Sequence, residues 1–262
     1  MAEQVAWSVG KRGFENLLLS SEADTAAYFG RVGRARELSR QAVASAERAE
    51  EKETAAGYDA EAALREAMFG NPVQARQHAT AALGHSTGRD VQAGATMALA
   101  LAGERTKVEA LSDDLVKRFP QATLVQFNYL PTIRAQLALN RNDAARAIAA
   151  LEAATPYELG ADFTGAFPPA MYPVYVRGQA YVAMHQGNEA AAEFQRILDH
   201  PGLVFNEPIA VLARLGLARA YALSGDSAKA RSEYQDFLTL WKDADPDIPL
   251  LKHAKAEYAR LQ

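Results

Sequence analysis

Two stretches decide the fold: Tyr181-Val-Ala-Met-His-Gln-Gly-Asn-Glu-Ala190 and Tyr221-Ala-Leu-Ser-Gly-Asp-Ser-Ala-Lys-Ala230. A shift of 40 residues carries Tyr181 onto Tyr221 and Ala190 onto Ala230. The match continues: Phe194 falls on Tyr234, Gln195 on Gln235 and Ile197 on Phe237. An aromatic, then a small residue nine positions later, then an aromatic four after that, marks a repeated helix-turn-helix unit. The spacing of the apolar positions is helical, not alternating.

The same frame extends backwards. Ala144, Ile148, Leu151 and Pro156 form one copy, and Val108, Ser112, Leu115 and Pro120 another. Ala75, Ala79 and Ala82, then Ala35, Ser39 and Ala42, form two degenerate copies. The anchors at 35, 75, 108, 144, 190 and 230 lie 40, 33, 36, 46 and 40 residues apart. Order and spacing resemble the tetratricopeptide (TPR) repeat, whose pattern places a glycine before the first aromatic, then A-x3-F, then proline. Gly178 occupies that glycine position; Ala218 stands there in the last copy. The resemblance implies an all-α array of about six helix pairs over residues 1–262, a right-handed superhelical solenoid. Neither helix of such a pair buries its apolar face alone, so each pair leans on the next.

Local signals set the ends of the helices. Asn71-Pro72 reads as a capping residue before a proline in the first turn, and Asn142-Asp143 and Gly225-Asp226 as stop-and-start turns. Residues 247–262 place Leu250, Leu251, Ala254, Tyr258 and Leu261 on one face and Lys252, Lys255, Glu257 and Arg260 on the other, which predicts an amphipathic capping helix. Two connections are irregular: Tyr157–Pro173, rich in Pro, Gly and aromatics, and His200–Pro208. Long connections of this kind are often functional; the alternative is that Phe163, Phe167 and Phe205 plug gaps between helices.

The 262 residues carry a net charge of −4 and no cysteine. The charge lacks the basic excess of a nucleic-acid binder, and the composition removes disulfides, cysteine zinc sites and thiol chemistry. No run of about 18 apolar residues predicts a membrane span, and Met1–Gly10 has no secretory pattern. The expectation is a soluble protein, cytoplasmic, or periplasmic if carried behind a span in a longer chain.

No P-loop, dinucleotide-binding or nucleophile-elbow motif is present. Asp162-Phe163-Thr164-Gly165 has one residue too many for a kinase D-F-G. Gly30-Arg-Val-Gly33 is spaced to end one helix and start the next. His185, Glu189 and Glu193 would need one unbroken helix to share a metal, and Gly187 interrupts it. His78, His85, His200 and His253 show no partners in the pattern. Arg31, Arg34, Arg36 and Arg40, followed by several glutamates, read as a solvated face of mixed charge. The chain is therefore expected to be no enzyme and to need no cofactor or metal.

In an array of this kind the first helix of each pair lines the concave face. Counting from Tyr181, its inward positions are Gln126, Tyr129, Ile133, Gln136 and Leu137 in the fourth copy. The fifth offers Tyr172, Tyr175, Gln179, Val182 and Ala183, and the sixth Leu212, Leu215, Arg219, Ala222 and Leu223. Gln126, Tyr129, Ile133, Gln136, Tyr172, Tyr175, Gln179 and Arg219 are the candidate peptide groove, apolar bodies giving area and polar tips direction. Leu212, Leu215 and Leu223 also fit simple helix packing. Some TPR proteins grip acidic chaperone tails with a Lys/Asn/Arg clamp. The corresponding positions here are Tyr129, Ile133 and Leu137, or Tyr175, Gln179 and Ala183, so the clamp is missing.

Four segments look more specific: Phe194-Gln-Arg-Ile-Leu-Asp-His-Pro-Gly202, Leu238-Thr-Leu-Trp-Lys-Asp-Ala-Asp-Pro-Asp-Ile-Pro249, Arg36-Glu-Leu-Ser-Arg40 and Lys117-Arg-Phe-Pro120. They resemble the C-terminal repeat region of acidobacterial-type multidomain serine/threonine kinases and winged-helix regulators. That resemblance implies a docking or sensing module of a larger bacterial signalling protein, binding a protein or peptide, without kinase machinery of its own. A domain sensing a small molecule or cell-wall fragment is the alternative.

Overall fold

The computed structural model describes residues 2–160 and 171–261. Among them the chain is helical, with no strand. The helices are α1 (Ala2–Ser8), α2 (Glu15–Tyr28), α3 (Val32–Arg48), α4 (Lys52–Met68), α5 (Pro72–His85), α6 (Arg89–Leu101), α7 (Arg105–Arg118), α8 (Leu130–Leu139), α9 (Ala144–Leu151), α10 (Tyr172–Ala183), α11 (Gly187–Leu198), α12 (Pro201–Val204), α13 (Pro208–Leu223), α14 (Ser227–Leu240) and α15 (Pro249–Ala259). A π turn, Val125–Tyr129, leads into α8, and a 3-10 segment, Glu152–Tyr157, follows α9. None of the described helices is long and apolar enough to cross a membrane.

Six antiparallel pairs recur along the chain: α2/α3, α4/α5, α6/α7, α8/α9, α10/α11 and α13/α14. Ala35, Ala75, Val108, Ala144, Ala190 and Ala230 each lie on the second helix of a pair, and all are buried. First helices also touch one another, α4 on α6, α6 on α8, α8 on α10 and α10 on α13, whereas second helices pack mainly on first helices, α3 on α4, α5 on α6 and α11 on α13. First helices therefore form the inner layer and second helices the outer one.

Phe194 shows how closely the inner layer is drawn together. Its ring, fully buried, sits between Gly178 of α10 and Gly216 of α13. A Cβ on Gly178 would lie 2.8 Å from the ring and one on Gly216 2.6 Å, closer than any side chain tolerates. The repeat frame marks Gly178; the glycine that matters on the other side of the ring is Gly216, two positions before the Ala218 that the frame aligns with it.

The curvature brings the ends of the array together, because α13 packs on α2. Trp241, just past α14, donates its indole N–H to the Tyr28 carbonyl at 2.9 Å and sets its ring edge-on to Phe69 at 5.3 Å. The Asp245 amide donates to the Gly30 carbonyl at 3.0 Å, and the Asp245 carboxylate accepts the Gly33 amide at 2.7 Å. Gly30 has φ +72° and admits Ala244 so closely that a Cβ there would meet it at 2.5 Å. Asn206 donates to the Thr25 hydroxyl at 2.9 Å. The six pairs thus form a closed ring.

Several local expectations need correction. The Asn71 side chain donates to Glu66 instead of capping α5, whereas Asp143 and Asp226 do cap, accepting the Arg146 and Lys229 amides. The irregular stretch is shorter than 157–173: Tyr157 ends the 3-10 segment, and Tyr172 and Pro173 already belong to the first turn of α10. Phe163, Phe167 and the Asp162–Gly165 tetrapeptide lie outside the described residues. His200–Pro208 contains the short helix α12, and Phe205, 72% exposed at φ +44°, plugs nothing. The helix of residues 247–262 begins at Pro249. It packs on α14 and also reaches α4, whose Phe69 carbonyl accepts the Leu250 amide at 3.4 Å.

Candidate functional site

The first helices converge on a polar recess at the centre of the ring. From α2 come Ser20 and Asp24, from α4 Glu61 and Arg65, from α10 Tyr172 and Tyr175, and Glu207 precedes α13. Arg65, buried, donates to Asp24 and to the Ser39 hydroxyl, the latter at 2.6 Å. Glu61 accepts from Ser20 at 3.2 Å, and Glu207 from Tyr172 at 3.2 Å. Asp24 keeps 30% of its side-chain surface exposed.

The electrostatics follow from this crowding. Burial, then the Asp24 charge, pushes the Glu61 carboxyl up to about 8; Arg65 opposes. Burial, then Asp24 and Glu61, pushes Glu207 up to about 8. Burial also raises Asp24, with Arg65 pulling the other way. Tyr172 is raised by burial and by Glu207, and Tyr175 is pushed up to about 12 by burial. Three carboxyls thus share one guanidinium, which Asp24 and Ser39 already occupy. A neutral carboxyl held beside a hydroxyl releases its proton when a better partner for the anion arrives.

The eight groove candidates divide. Tyr172, Tyr175, Gln179 and Arg219 do stand together on the inner side of α10 and α13, Tyr175 bonded to Gln179 and within electrostatic reach of Tyr172 and Arg219. Tyr172, however, is fully buried. Arg219 faces no open hollow: its guanidinium makes two bonds to Glu257 of α15, at 2.9 and 3.0 Å, because α15 folds back across the inner layer. The fourth copy does not join them. Tyr129, 1% exposed, bonds Asp90 of α6 at 2.9 Å. Gln126 donates to the Phe119 carbonyl, Gln136 to Asn140, and Ile133 is buried in the core.

The reason for the fourth copy is the π turn. Pro131 has no amide hydrogen, and its ring crowds the carbonyl four residues back, so the backbone widens there. One extra residue in that turn rotates everything before it out of the regular register from which the inward positions were counted. Leu212 and Leu215 are buried and Leu223 is half exposed, so the first two serve packing.

Residues that the pattern did not mark carry the recess: Asp24, Glu61, Arg65 and Glu207. They sit on the degenerate copies and at a helix start, where the repeat frame is faintest. Other partners were missed for the same long-range reason. His78 Nδ1 lies 2.8 Å from Asp59, and His85 3.6 Å from Glu47. Arg31, Arg34, Arg36 and Arg40 each meet a carboxylate, Asp243, Glu22, Glu66 and Glu37, so the basic stretch is a paired face. His185 sits in a turn at φ +56° and α11 starts at Gly187, so His185 and Glu189 share no helix.

A second feature lies on the outside of the ring joint. A cleft of about 630 Å³ runs between α2 and α14, with Tyr28, Phe29 and Leu240 as its apolar walls and Arg31, Arg214 and Lys242 among its charges.

No protein-family model matches the chain, and no curated protein matches it.

Proposed function

We propose that the chain is a TPR-like binding module whose inner surface engages a protein or peptide, and that the contacting group on that partner is a basic side chain. The observation that supports this is the carboxyl excess of the recess: Asp24, Glu61 and Glu207 around Arg65, with Glu61 and Glu207 bonded, among the described residues, to the hydroxyls of Ser20 and Tyr172. A fold gains nothing from crowding three acids at its centre. An incoming ammonium or guanidinium would replace two hydroxyl contacts by charge-assisted ones, roughly twice as strong. The six buried anchors and the close glycine–Phe194 packing support the TPR-like reading. The four segments named above support a role as the docking or sensing part of a larger bacterial signalling protein.

The test is fluorescence anisotropy with a panel of short labelled peptides containing lysine or arginine, each paired with its acetyl-lysine or citrulline counterpart. Binding of the charged peptides, weakened at least about tenfold (about 1.4 kcal/mol) by neutralising the peptide or by Glu207→Gln, is expected. Equal binding of charged and neutral peptides overturns the assignment of the recess.

The joint cleft favours a second reading, a small-molecule sensor, since its volume falls in the range of about 300–1,000 Å³ typical of ligand sites. A thermal-shift screen separates the two: a small molecule that raises the melting temperature of the wild type but not of Phe29→Ala assigns the cleft.

A further inference from the structure

We propose that the cleft at the ring joint is the site of a free α-amino acid with an apolar side chain, its carboxylate taken by Arg31 and its ammonium by Asp243. This rests on the second reading above, the joint cleft as a small-molecule site, and names the class of ligand.

Arg31 stands in the turn between α2 and α3, and Asp243 follows α14, so the two face each other across the joint. Nη2 of Arg31 lies 4.0 Å from Oδ2 of Asp243, too far for a hydrogen bond. Both side chains are more than half exposed, and among the described residues neither makes a hydrogen bond. Nearby arginines behave differently: Arg34 meets Glu22 at 3.1 Å and Arg36 meets Glu66 at 2.6 Å. The gap is not slack in the backbone. Asp245 is bonded to Gly30 at 3.0 Å and to Gly33 at 2.7 Å, and Trp241 to Tyr28 at 2.9 Å, so the chain is held on either side of Arg31 and of Asp243. A cation and an anion are fixed side by side, short of contact.

An α-amino acid is complementary to such a pair. Its carboxylate and ammonium leave the same carbon, so they sit side by side as Asp243 and Arg31 do, with the signs reversed. Each protein group would gain a charge-assisted bond of about 2.7–2.9 Å in place of one loose contact.

The rest of the lining agrees. Arg214 of α13 and Lys242, just past α14, add positive charge, and Asp236 of α14 adds negative. Arg214 is likewise held off its carboxylate, Glu233, by 3.8 Å. A lining of both signs suits a zwitterion, whereas a bare acid or a bare amine would also meet groups that repel it. Phe29, 38% exposed, and Leu240 form the apolar wall, with the Tyr28 ring edge-on to Phe29 at 5.3 Å. An aromatic or branched side chain laid on that wall leaves water, the non-directional part of the binding.

Isothermal titration calorimetry tests this with L-phenylalanine, L-leucine, hydrocinnamate, which keeps the carboxylate alone, and phenethylamine, which keeps the ammonium alone. The two amino acids should bind with a dissociation constant below about 1 mM, and the single-charge analogues at least about tenfold more weakly. Asp243→Asn and Arg31→Gln, with wild-type melting temperatures, should each weaken L-phenylalanine at least about tenfold, and Phe29→Ala should weaken both amino acids. If hydrocinnamate or phenethylamine binds as tightly as L-phenylalanine and Phe29→Ala still weakens it, the cleft takes small molecules of another class, and the amino-acid assignment alone falls. Full affinity for L-phenylalanine in both charge variants overturns the Arg31–Asp243 pair as the site. If no probe binds, the amino-acid assignment is wrong, and the thermal-shift screen still decides the reading of the cleft. If L-phenylalanine binds and Phe29→Ala changes nothing, its site lies elsewhere and both fall.

Discussion

The indole N–H of Trp241 donates to the backbone carbonyl of Tyr28, 213 residues earlier in the chain, at 2.9 Å. That bond, with the Trp241 ring on Phe69, converts a curved row of helix pairs into a ring. In an open repeat array each pair feels only its neighbours, and stability is close to a sum of local terms. Here the first and last pairs are also neighbours, so damage at one end reaches the other.

Replacing Trp241 separates the parts of this contact. Trp241→Phe keeps an aromatic ring beside Phe69 but strands the Tyr28 carbonyl, and should cost about 1 kcal/mol. Trp241→Ala also opens a cavity in the joint, for about 3–5 kcal/mol. Urea unfolding gives both values. Hydrogen exchange should show the loss in α2 as well as in α14; protection lost only near Trp241 would show that the ring does not act as a closed unit.

The Phe194 ring provides an independent test in the inner layer. Gly216→Ala would place a methyl 2.6 Å from a fully buried ring that is also gripped by Gly178. Such overpacking typically costs about 1–3 kcal/mol. Phe194→Leu alone leaves a void, yet combined with Gly216→Ala it relieves the clash. The double variant should thus be more stable than the sum of the two single losses predicts, by at least about 0.5 kcal/mol. Strict additivity in denaturant unfolding would mean that the ring moves aside freely.

How much of this was legible in advance depends on distance along the chain. The two strong copies, with Tyr181, Ala190, Phe194, Tyr221, Ala230 and Tyr234, gave helices and pairing, because i, i+3 and i+4 contacts are written locally. The turns at Asp143 and Asp226 were readable for the same reason. The joint was not: nothing near Trp241 or Gly30 records that they meet, since their contact is the accumulated curvature of the intervening pairs. The recess fails twice over, because Asp24 and Glu61 lie in degenerate copies and Glu207 opens a helix by an irregular link. Tyr129 misled through Pro131, whose π turn shifts the register. Arg219 misled because Glu257 was assigned to the solvated face of its helix.

Glu158 anchors the start of the segment that leads towards α10. Its side chain is fully buried, accepting two bonds from Arg177, at 2.5 and 3.0 Å, and one from Arg196 at 2.8 Å, while Arg177 also meets Glu193 at 2.7 Å. Breaking a buried pair leaves the partner charge uncompensated, at a cost of about 3–5 kcal/mol. Glu158→Ala should therefore destabilise strongly. Glu158→Gln, which keeps the shape and one acceptor, should lose less, and Glu193→Ala less again, since Arg177 retains Glu158. Thermal unfolding gives the order; equal losses for Glu158→Ala and Glu193→Ala would contradict the network.

The final prediction concerns α15. Glu257 accepts from Nε and Nη2 of Arg219 and from the Tyr234 hydroxyl, the latter at 2.9 Å, so one carboxylate ties α15 to α13 and α14 together. Leu251 and Ala254 are buried on the same helix and supply apolar area. Glu257→Ala removes three bonds at once and leaves a half-buried guanidinium without its carboxylate, for about 1–3 kcal/mol. Arg219→Ala should cost less, because Glu257 keeps Tyr234. The two losses should not add in full: with Glu257 gone, Arg219 keeps its contact with the Tyr234 hydroxyl but has lost its ion pair, so the double variant should lose less than the sum of the single losses. Deleting residues 249–262 exceeds either, since it also uncovers the apolar edge of α14 and frees the Phe69 carbonyl at the joint. Should the double variant instead lose the full sum in urea unfolding, Arg219 would be stabilising the protein through some contact other than Glu257, and α15 would be held by its apolar face alone.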